Sequence, residues 1–396
     1  MKTYDWIVVG NGLAGAAVGY ELACQDFEVL VLEQSATADS ATRYSYGGIP
    51  YWAGTTPVLR QLSAEGIERQ RQLSAELGEP TEFQELDLLL PIETESDGDA
   101  IAQSYQKFAI PPQPISVAEA CKLEPQLNPD AIGGALTVRH GHVSPTALVA
   151  AYNHGMARHG GDLEIAPVTG LVRIGDRVTG VTTPTQAYAA ANVLVAAGAF
   201  SRQLMASINR SIKLYFTQAE LIRTPPVNLK LQTLVMPADL KRFALESAAS
   251  QPEREADWQA TDSDEDIVPP ILDAGVVQFQ DGSLCIGQIS RARPSLNNDV
   301  DPAQSEAQIR AVNEAWVPAL KYVPGTWHRC AVSFSRDGLP LAGPLPGVAG
   351  VYLFAGFSSP FCLLPPIARR FARWVSGGQD DLEDDLMVKM RPDRFA

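Results

Sequence analysis

Gly10-Asn11-Gly12-Leu13-Ala14-Gly15 spells G-x-G-x-x-G. Glycines at this spacing do separate jobs. The first permits a tight turn, the second lets the backbone approach a pyrophosphate, and the third lets a helix pack closely on a strand. The N–H groups opening that helix carry partial positive charge and favour phosphate. Glu33 closes the next apolar run, where a carboxylate accepts hydrogen bonds from a ribose hydroxyl. The pattern predicts a dinucleotide site, open at this point to a nicotinamide or a flavin cofactor. His140 and His142 form an H-x-H pair that one strand face could offer to a metal, but no Cys or Asp cluster accompanies them and no metal is expected. No Ser/His/Asp arrangement or P-loop is visible.

These residues need elements to hold them. Tyr4 to Val9 is a β-branched run ending in glycine and reads as a buried strand. Leu13 to Ala23 has helical spacing, and Glu28 to Leu32 reads as the next strand, closed by Glu33. Together they make an N-terminal βαβ unit. An amphipathic helix is expected over Pro57 to Leu77, and another from Pro145 to about Arg158, capped by Ser144. Val168 to Val181 and Ala187 to Ala196 read as strands around turns. Shorter strand-like runs follow at Leu214 to Ile222, Gly275 to Phe279 and Ser283 to Ile286, with Asp281-Gly282 as a hairpin turn. The stretch Ala256 to Pro270, with Asp262, Asp264, Glu265 and Asp266, reads as a solvated surface excursion. Asp301-Pro302 opens a helix towards Leu320. The run Val351 to Ala355 leads into a helix expected to start near Pro365-Pro366 and stop at Gly377-Gly378.

A chain of 396 residues suits two domains. Apolar residues at 45% with 19% charged residues exclude a disordered or fibrous protein. Lys and Arg total 31 against 46 Asp and Glu, and the resulting charge of −15 argues against nucleic acid as a partner. Five cysteines at irregular spacings suit a reducing compartment. No apolar run reaches membrane-spanning length, and the N-terminal run stops too early for a secretory signal, so a cytoplasmic protein is expected.

Later motifs separate the two cofactors. Ala41-Thr42-Arg43, in a stretch ending Gly47-Gly48, resembles the second FAD contact of the D-amino-acid oxidase, glycine oxidase and sarcosine oxidase family. Val193 to Ser201 resembles that family's strand ending in A-A-G-A-x-S. Asp337 to Gly343, followed by Val351 to Phe357, is similar to its C-terminal D-G-x-P-x-x-G and x-A-x-G pair. Glu124-Pro125 and His142 to Pro145 resemble its middle region. The matches run in family order over nearly the whole chain. The resemblance implies FAD, held by Gly10, Gly12, Leu13, Ala14, Gly15, Glu33, Gln34, Thr42, Arg43, Gly47, Gly48, Val168, Ala197, Gly198, Cys330, Asp337, Gly356, Phe357, Ser358 and Ser359. The N-terminus of the C-terminal helix would stabilise negative charge on the reduced flavin. Cys330 stands where sarcosine-oxidase-like members bond the flavin and glycine-oxidase-like members have Gly, so covalent and non-covalent attachment both stay open.

The family's fold implies an α/β protein. A Rossmann-like FAD-binding domain (1–85, 143–206 and 327–396) would carry a second, α+β substrate domain built on an antiparallel sheet (86–142 and 207–326). Its chemistry implies hydride transfer from the carbon beside an amine to flavin, giving an imine, with O2 or another acceptor taking the electrons. Members that act on amino acids hold the carboxylate with Arg or Lys. Here Val332 and Leu363 stand at two such positions and Tyr46 at a third. Either the substrate lacks a carboxylate there or another cation serves, from Arg43, Arg291, Arg293, Arg329 and Arg336. Arg43 is the first choice, beside an aromatic wall of Tyr44, Tyr46, Tyr51 and Trp52. His328 is a candidate proton acceptor, so Arg43, Tyr46 and His328 form the expected catalytic set. Oxidation of a 2-hydroxy acid at carbon–oxygen, with His328 as base, is the alternative. A flavin-binding subunit without catalysis is a third reading.

Overall fold

The computed structural model describes residues 2–37, 40–261, 263–296, 299–378 and 381–395, so Asp262 lies outside the described residues. The chain begins with β1 (Thr3–Val9), α1 (Leu13–Ala23), β2 (Val29–Glu33), β3 (Gly48–Ile49), α2 (Pro57–Leu77) and β4 (Gln84–Glu93). Next come α3 (Gly98–Ser104), β5 (Gln113–Ile115), α4 (Val117–Leu123), β6 (Ile132–His142), α5 (Pro145–Arg158) and β7 (Asp162–Ile165). Then follow β8 (Gly170–Ile174), β9 (Arg177–Thr182), β10 (Ala187–Val195), α6 (Ser201–Ala206), β11 (Tyr215–Arg223) and β12 (Leu234–Val235). The rest is α7 (Lys241–Ala249), β13 (Ile271–Gln278), β14 (Leu284–Ala292), α8 (Pro302–Trp316), β15 (Thr326–Phe334), β16 (Leu341–Pro344), β17 (Val351–Ala355), α9 (Pro360–Val375) and α10 (Asp381–Val388).

Continuous apolar runs build a parallel sheet in the order β16-β17-β10-β1-β2-β7, with only β16 antiparallel along this path. Strands of such a sheet are buried on both faces. Trp6 and Val8 of β1 pack towards α1, α5 and α9, while Ile7 and Val9 pack on the opposite side with Leu204 and Met205. Antiparallel β9 and β8 extend from β10. A mainly antiparallel second sheet runs β15-β11-β14-β13-β12-β4-β6-β3, with β5 on β6. Its β13–β14 hairpin turns at Asp281-Gly282, where Gly282 has φ +85°, as the D-G signal predicts. The fold is the expected α/β architecture with an antiparallel second sheet.

Helix bounds follow their caps closely. Ser144 accepts the Ala147 N–H and Pro145 is the first residue of α5. Thr56 caps α2, which stops at Gly78 in the left-handed region. Three details depart from expectation. Strand β15 bonds along its whole length to β11, and β3 pairs with β6, so the antiparallel sheet recruits strands from segments expected in the nucleotide domain. The excursion before β13 is anchored: Trp258 is fully buried, and Asp266 holds Arg291 and Arg293. Finally, α9 starts at Pro360 and contains Pro365 and Pro366 inside it. Proline at 365 removes the N–H that would bond the Phe361 carbonyl. Gln70 Nε2 of α2 donates to that oxygen instead, at 2.5 Å. Gly66 brings α2 against the next freed carbonyl, that of Cys362, where a Cβ would overlap the oxygen.

Candidate active site

At the β1–α1 junction Gly10 has φ +102°, which favours glycine, and a Cβ on Gly15 would overlap the Gly10 carbonyl oxygen. Helix α1 has no side-chain cap at Gly12. Its first N–H, from Leu13, donates to Thr42 Oγ1 at 3.0 Å, drawing the Ala41–Arg43 turn over the helix end. Glu33 accepts the Asn11 N–H at 2.6 Å and the Gln34 N–H at 2.8 Å, one on each oxygen. A carboxylate has acceptor capacity beyond two bonds. The uncapped helix, the glycine cradle and this fixed carboxylate match the phosphate and ribose requirements of an adenine dinucleotide, and Asn11 Oδ1 is buried without a partner.

This crevice opens into a cavity of about 1210 Å³ that continues beneath the antiparallel sheet. Single small-ligand pockets are usually about 300–1,000 Å³, so there is room for a dinucleotide and a second molecule. Ser358, Ser359, Pro360 and Phe361 bring the N-terminus of α9 to its wall. Trp6, Tyr352 and Phe371 hold that helix on β1 and β17, with ring centroids 4.9 to 6.1 Å apart.

Beneath the antiparallel sheet the cavity is lined by Tyr46, Asp239, Arg242, Glu246, Asp273, Gln288, Cys330 and Val332 among others. Tyr46 Oη lies against Gly287, where any Cβ would collide with it, and the hydroxyl is buried without a partner. Burial pushes its pKa well above the usual tyrosine value. Burial, with Asp239 nearby, raises Asp273 to about 6, and its Oδ1 is unpaired. Arg242 Nε donates to Glu246 at 3.0 Å; burial pulls the guanidinium pKa down, but Glu246 outweighs it and raises it. Burial lifts the Cys330 thiol to about 12.

Most expected cofactor residues line this cavity: Gly10, Gly12, Leu13, Ala14, Glu33, Gln34, Thr42, Gly48, Val168, Ala197, Gly198, Cys330, Asp337, Gly356, Phe357, Ser358 and Ser359. Gly15 and Gly47 stand behind the wall, Gly15 under Gly10 and Gly47 against the Val143 carbonyl. Arg43 is exposed and packs over Tyr44 at 5.8 Å, lining a separate hollow of about 290 Å³ with Arg223 and Glu82. Its neighbour Thr42 turns inward, which sends Arg43 outward. His328 shares a strand with Cys330 but is covered by Tyr44, the two rings stacked at 4.4 Å, and it is not part of the cavity wall. Arg291 and Arg293 are committed to Asp266 and Glu220, and Arg336 to the Ser250 carbonyl and Tyr215. Tyr44, Tyr46 and Trp52 line the cavity, whereas Tyr51 does not. Sequence reasoning missed Arg242, Asp239 and Asp273; the Arg242/Glu246 i,i+4 pair was the available signal for the helix carrying the first.

Both histidines of the H-x-H pair have structural bonds. His140 Nδ1 accepts from Trp52 Nε1 at 3.0 Å, and His142 Nε2 lies 2.8 Å from the Tyr46 carbonyl. Burial lowers their pKa to about 3 and about 4. Among the described residues no group of three His, Cys, Asp or Glu could hold a metal, and no helix is long and apolar enough to cross a membrane.

Residues 5–374 match the model of the FAD dependent oxidoreductase family. The chain is 29% identical over 243 residues to glycine oxidase of Geobacillus kaustophilus, a match covering 59% of this chain and 64% of that protein. It is 28% identical over 232 residues to one subunit of the anaerobic glycerol-3-phosphate dehydrogenase of Escherichia coli, covering 56% of this chain and 42% of that subunit. Both matches span less than two thirds of the relative's own length. The crystal structure of the Geobacillus glycine oxidase superposes with a TM-score of 0.78 at 22% identity, over 100% of this chain and 99% of that one. With a dinucleotide cradle and a chamber joined to it, this chain belongs to the FAD dependent oxidoreductase family.

Proposed function

We propose that the chain oxidises a carbon–nitrogen bond, taking a hydride from the carbon beside an amine and leaving an imine that water hydrolyses. Bound FAD supplies the acceptor for that hydride. Gly10, Gly12, Glu33, Gln34 and Thr42 would hold its adenine and phosphate half, and Gly356 to Ser359 with the α9 N-terminus the ring end.

The observation that carries this reading is the 29% identity over 243 residues to a glycine oxidase, supported by a described cavity wall whose histidine is already engaged. Oxidising an alcohol requires removal of the hydroxyl proton, whereas a neutral amine already has a lone pair to form the new double bond. His328 lies behind Tyr44. His140 lines the cavity, but Trp52 donates to its Nδ1, which fixes the proton on Nε2 and makes that atom a donor. Val332 and Leu363 add an apolar wall where a substrate methylene chain fits without desolvating charge. Tyr46 borders the substrate end as a neutral hydroxyl.

Likeness to part of a glycerol-3-phosphate dehydrogenase favours a second reading, with a carbon–oxygen donor. Anaerobic titration separates the two. The absorbance of the oxidised flavin is followed while N-methyl and D-amino acids, carboxylate-free amines, and 2-hydroxy acids with glycerol 3-phosphate are added as three pools. Bleaching by either amine pool is expected, and bleaching by the oxygen-donor pool alone overturns the proposal.

A further inference from the structure

The substrate end holds three buried polar atoms without partners: Asp239 Oδ1, Asp273 Oδ1 and Tyr46 Oη. All three residues line the cavity, and Asp273 is only 9% exposed. An orphaned buried carboxylate is costly unless a cation meets it. We propose that Asp239, Asp273 and Tyr46 form a subsite for a substrate ammonium group other than the nitrogen that is oxidised, so that the chain acts on amines carrying a second, cationic nitrogen. This inference rests on the amine-oxidising reading.

The chemistry of the wall selects the ligand. An ammonium presents three N–H donors and no acceptor, and the two carboxylate oxygens and the phenol oxygen offer three acceptors. Of the acidic groups lining this end, Asp239 is paired with Lys241 and Glu246 with Arg242, which leaves Asp273 without an ion-pair partner. Lys241 Nζ is already held by Asp239 Oδ2 at 2.5 Å, and Arg242 by Glu246, so neither meets Asp273 Oδ1. Leu221, Leu234, Met236 and Val277 supply apolar wall in the same cavity, which keeps the interaction strong and local. Carboxylates favour the protonated form of an amine, and a protonated nitrogen has no lone pair to drive hydride loss. The nitrogen held here is therefore not the reacting one.

Binding to the holoenzyme and turnover test this together. tert-Butylammonium has no hydrogen on the carbon bearing nitrogen and cannot be oxidised, and tert-butanol is its neutral counterpart. The ammonium is expected to bind, read by calorimetry and by perturbation of the flavin spectrum, and the alcohol is not. Asp273→Asn weakens that binding about tenfold or more, and Asp239→Asn gives an independent loss if the first variant fails to retain FAD. In turnover, kcat/KM for putrescine exceeds that for n-butylamine in the wild type, and the ratio falls towards one in either variant. Equal kcat/KM for the two amines, or tert-butylammonium affinity unchanged by both substitutions, overturns the subsite while leaving amine oxidation intact. Bleaching by neither amine likewise overturns the subsite, and bleaching by no amine of either pool overturns the amine reading itself.

Discussion

Asp273 is where residue chemistry is most exposed to measurement. Its folded pKa of about 6 lies above the ordinary carboxylate value of 3.8, so the native state binds the proton more tightly than the unfolded chain. The sign follows: stability falls as pH rises from about 4 to about 6, by roughly 3 kcal/mol for a shift of about two units. Asp239 raises this midpoint through its charge, and Lys241 and Arg242 lower it. Asp273→Asn is expected to raise the thermal midpoint at pH 8 and to change it little at pH 4, measured by scanning calorimetry. At Cys330 the nucleophile is the thiolate, and burial holds the thiol pKa near 12. Acid precipitation is accordingly expected to leave flavin in the supernatant; colour in the pellet would show a covalent link. The glycine cradle and Glu33 were legible in the sequence because a nucleotide turn is a local device. Asp239, Arg242 and Asp273 were not, because they meet only where α7 and β13 come together across the second sheet. Arg43 misled through its neighbour Thr42: adjacent residues in a turn point opposite ways.

At the scale of single elements, the βαβ unit, α2, α5 and the β13–β14 hairpin could be read from periodicity, caps and turn residues. Helix α9 could not. Paired prolines normally mark a helix start, but here the donor for the freed Phe361 carbonyl comes from α2, nearly three hundred residues earlier in the chain. Gln70→Leu leaves the Phe361 carbonyl buried without its donor and is expected to lower stability by about 1–3 kcal/mol. Because Phe361 borders the cavity, the same variant should purify with less flavin, read from the ratio of flavin to protein absorbance. Gly15→Ala forces α1 away from the Gly10 turn and is expected to abolish flavin retention while leaving a folded chain by circular dichroism.

For the molecule as a whole, function follows from two sheets of opposite character sharing one cavity. The parallel sheet ends in uncapped helix termini that suit a dinucleotide, and the antiparallel sheet roofs the chamber with apolar strands and a few unpaired acceptors. Segment order alone suggested both sheets, but not that β15 would cross to the antiparallel one, since strand pairing is decided by partners distant in sequence. The central claim is that a carbon–hydrogen bond beside a substrate nitrogen is broken in this chamber. The most direct test is anaerobic stopped-flow reduction of the flavin by putrescine and by putrescine deuterated at both carbons bearing nitrogen. Bleaching is expected with both, at a severalfold slower rate with the deuterated form. Bleaching by glycerol 3-phosphate or a 2-hydroxy acid, with none by any amine, would contradict it.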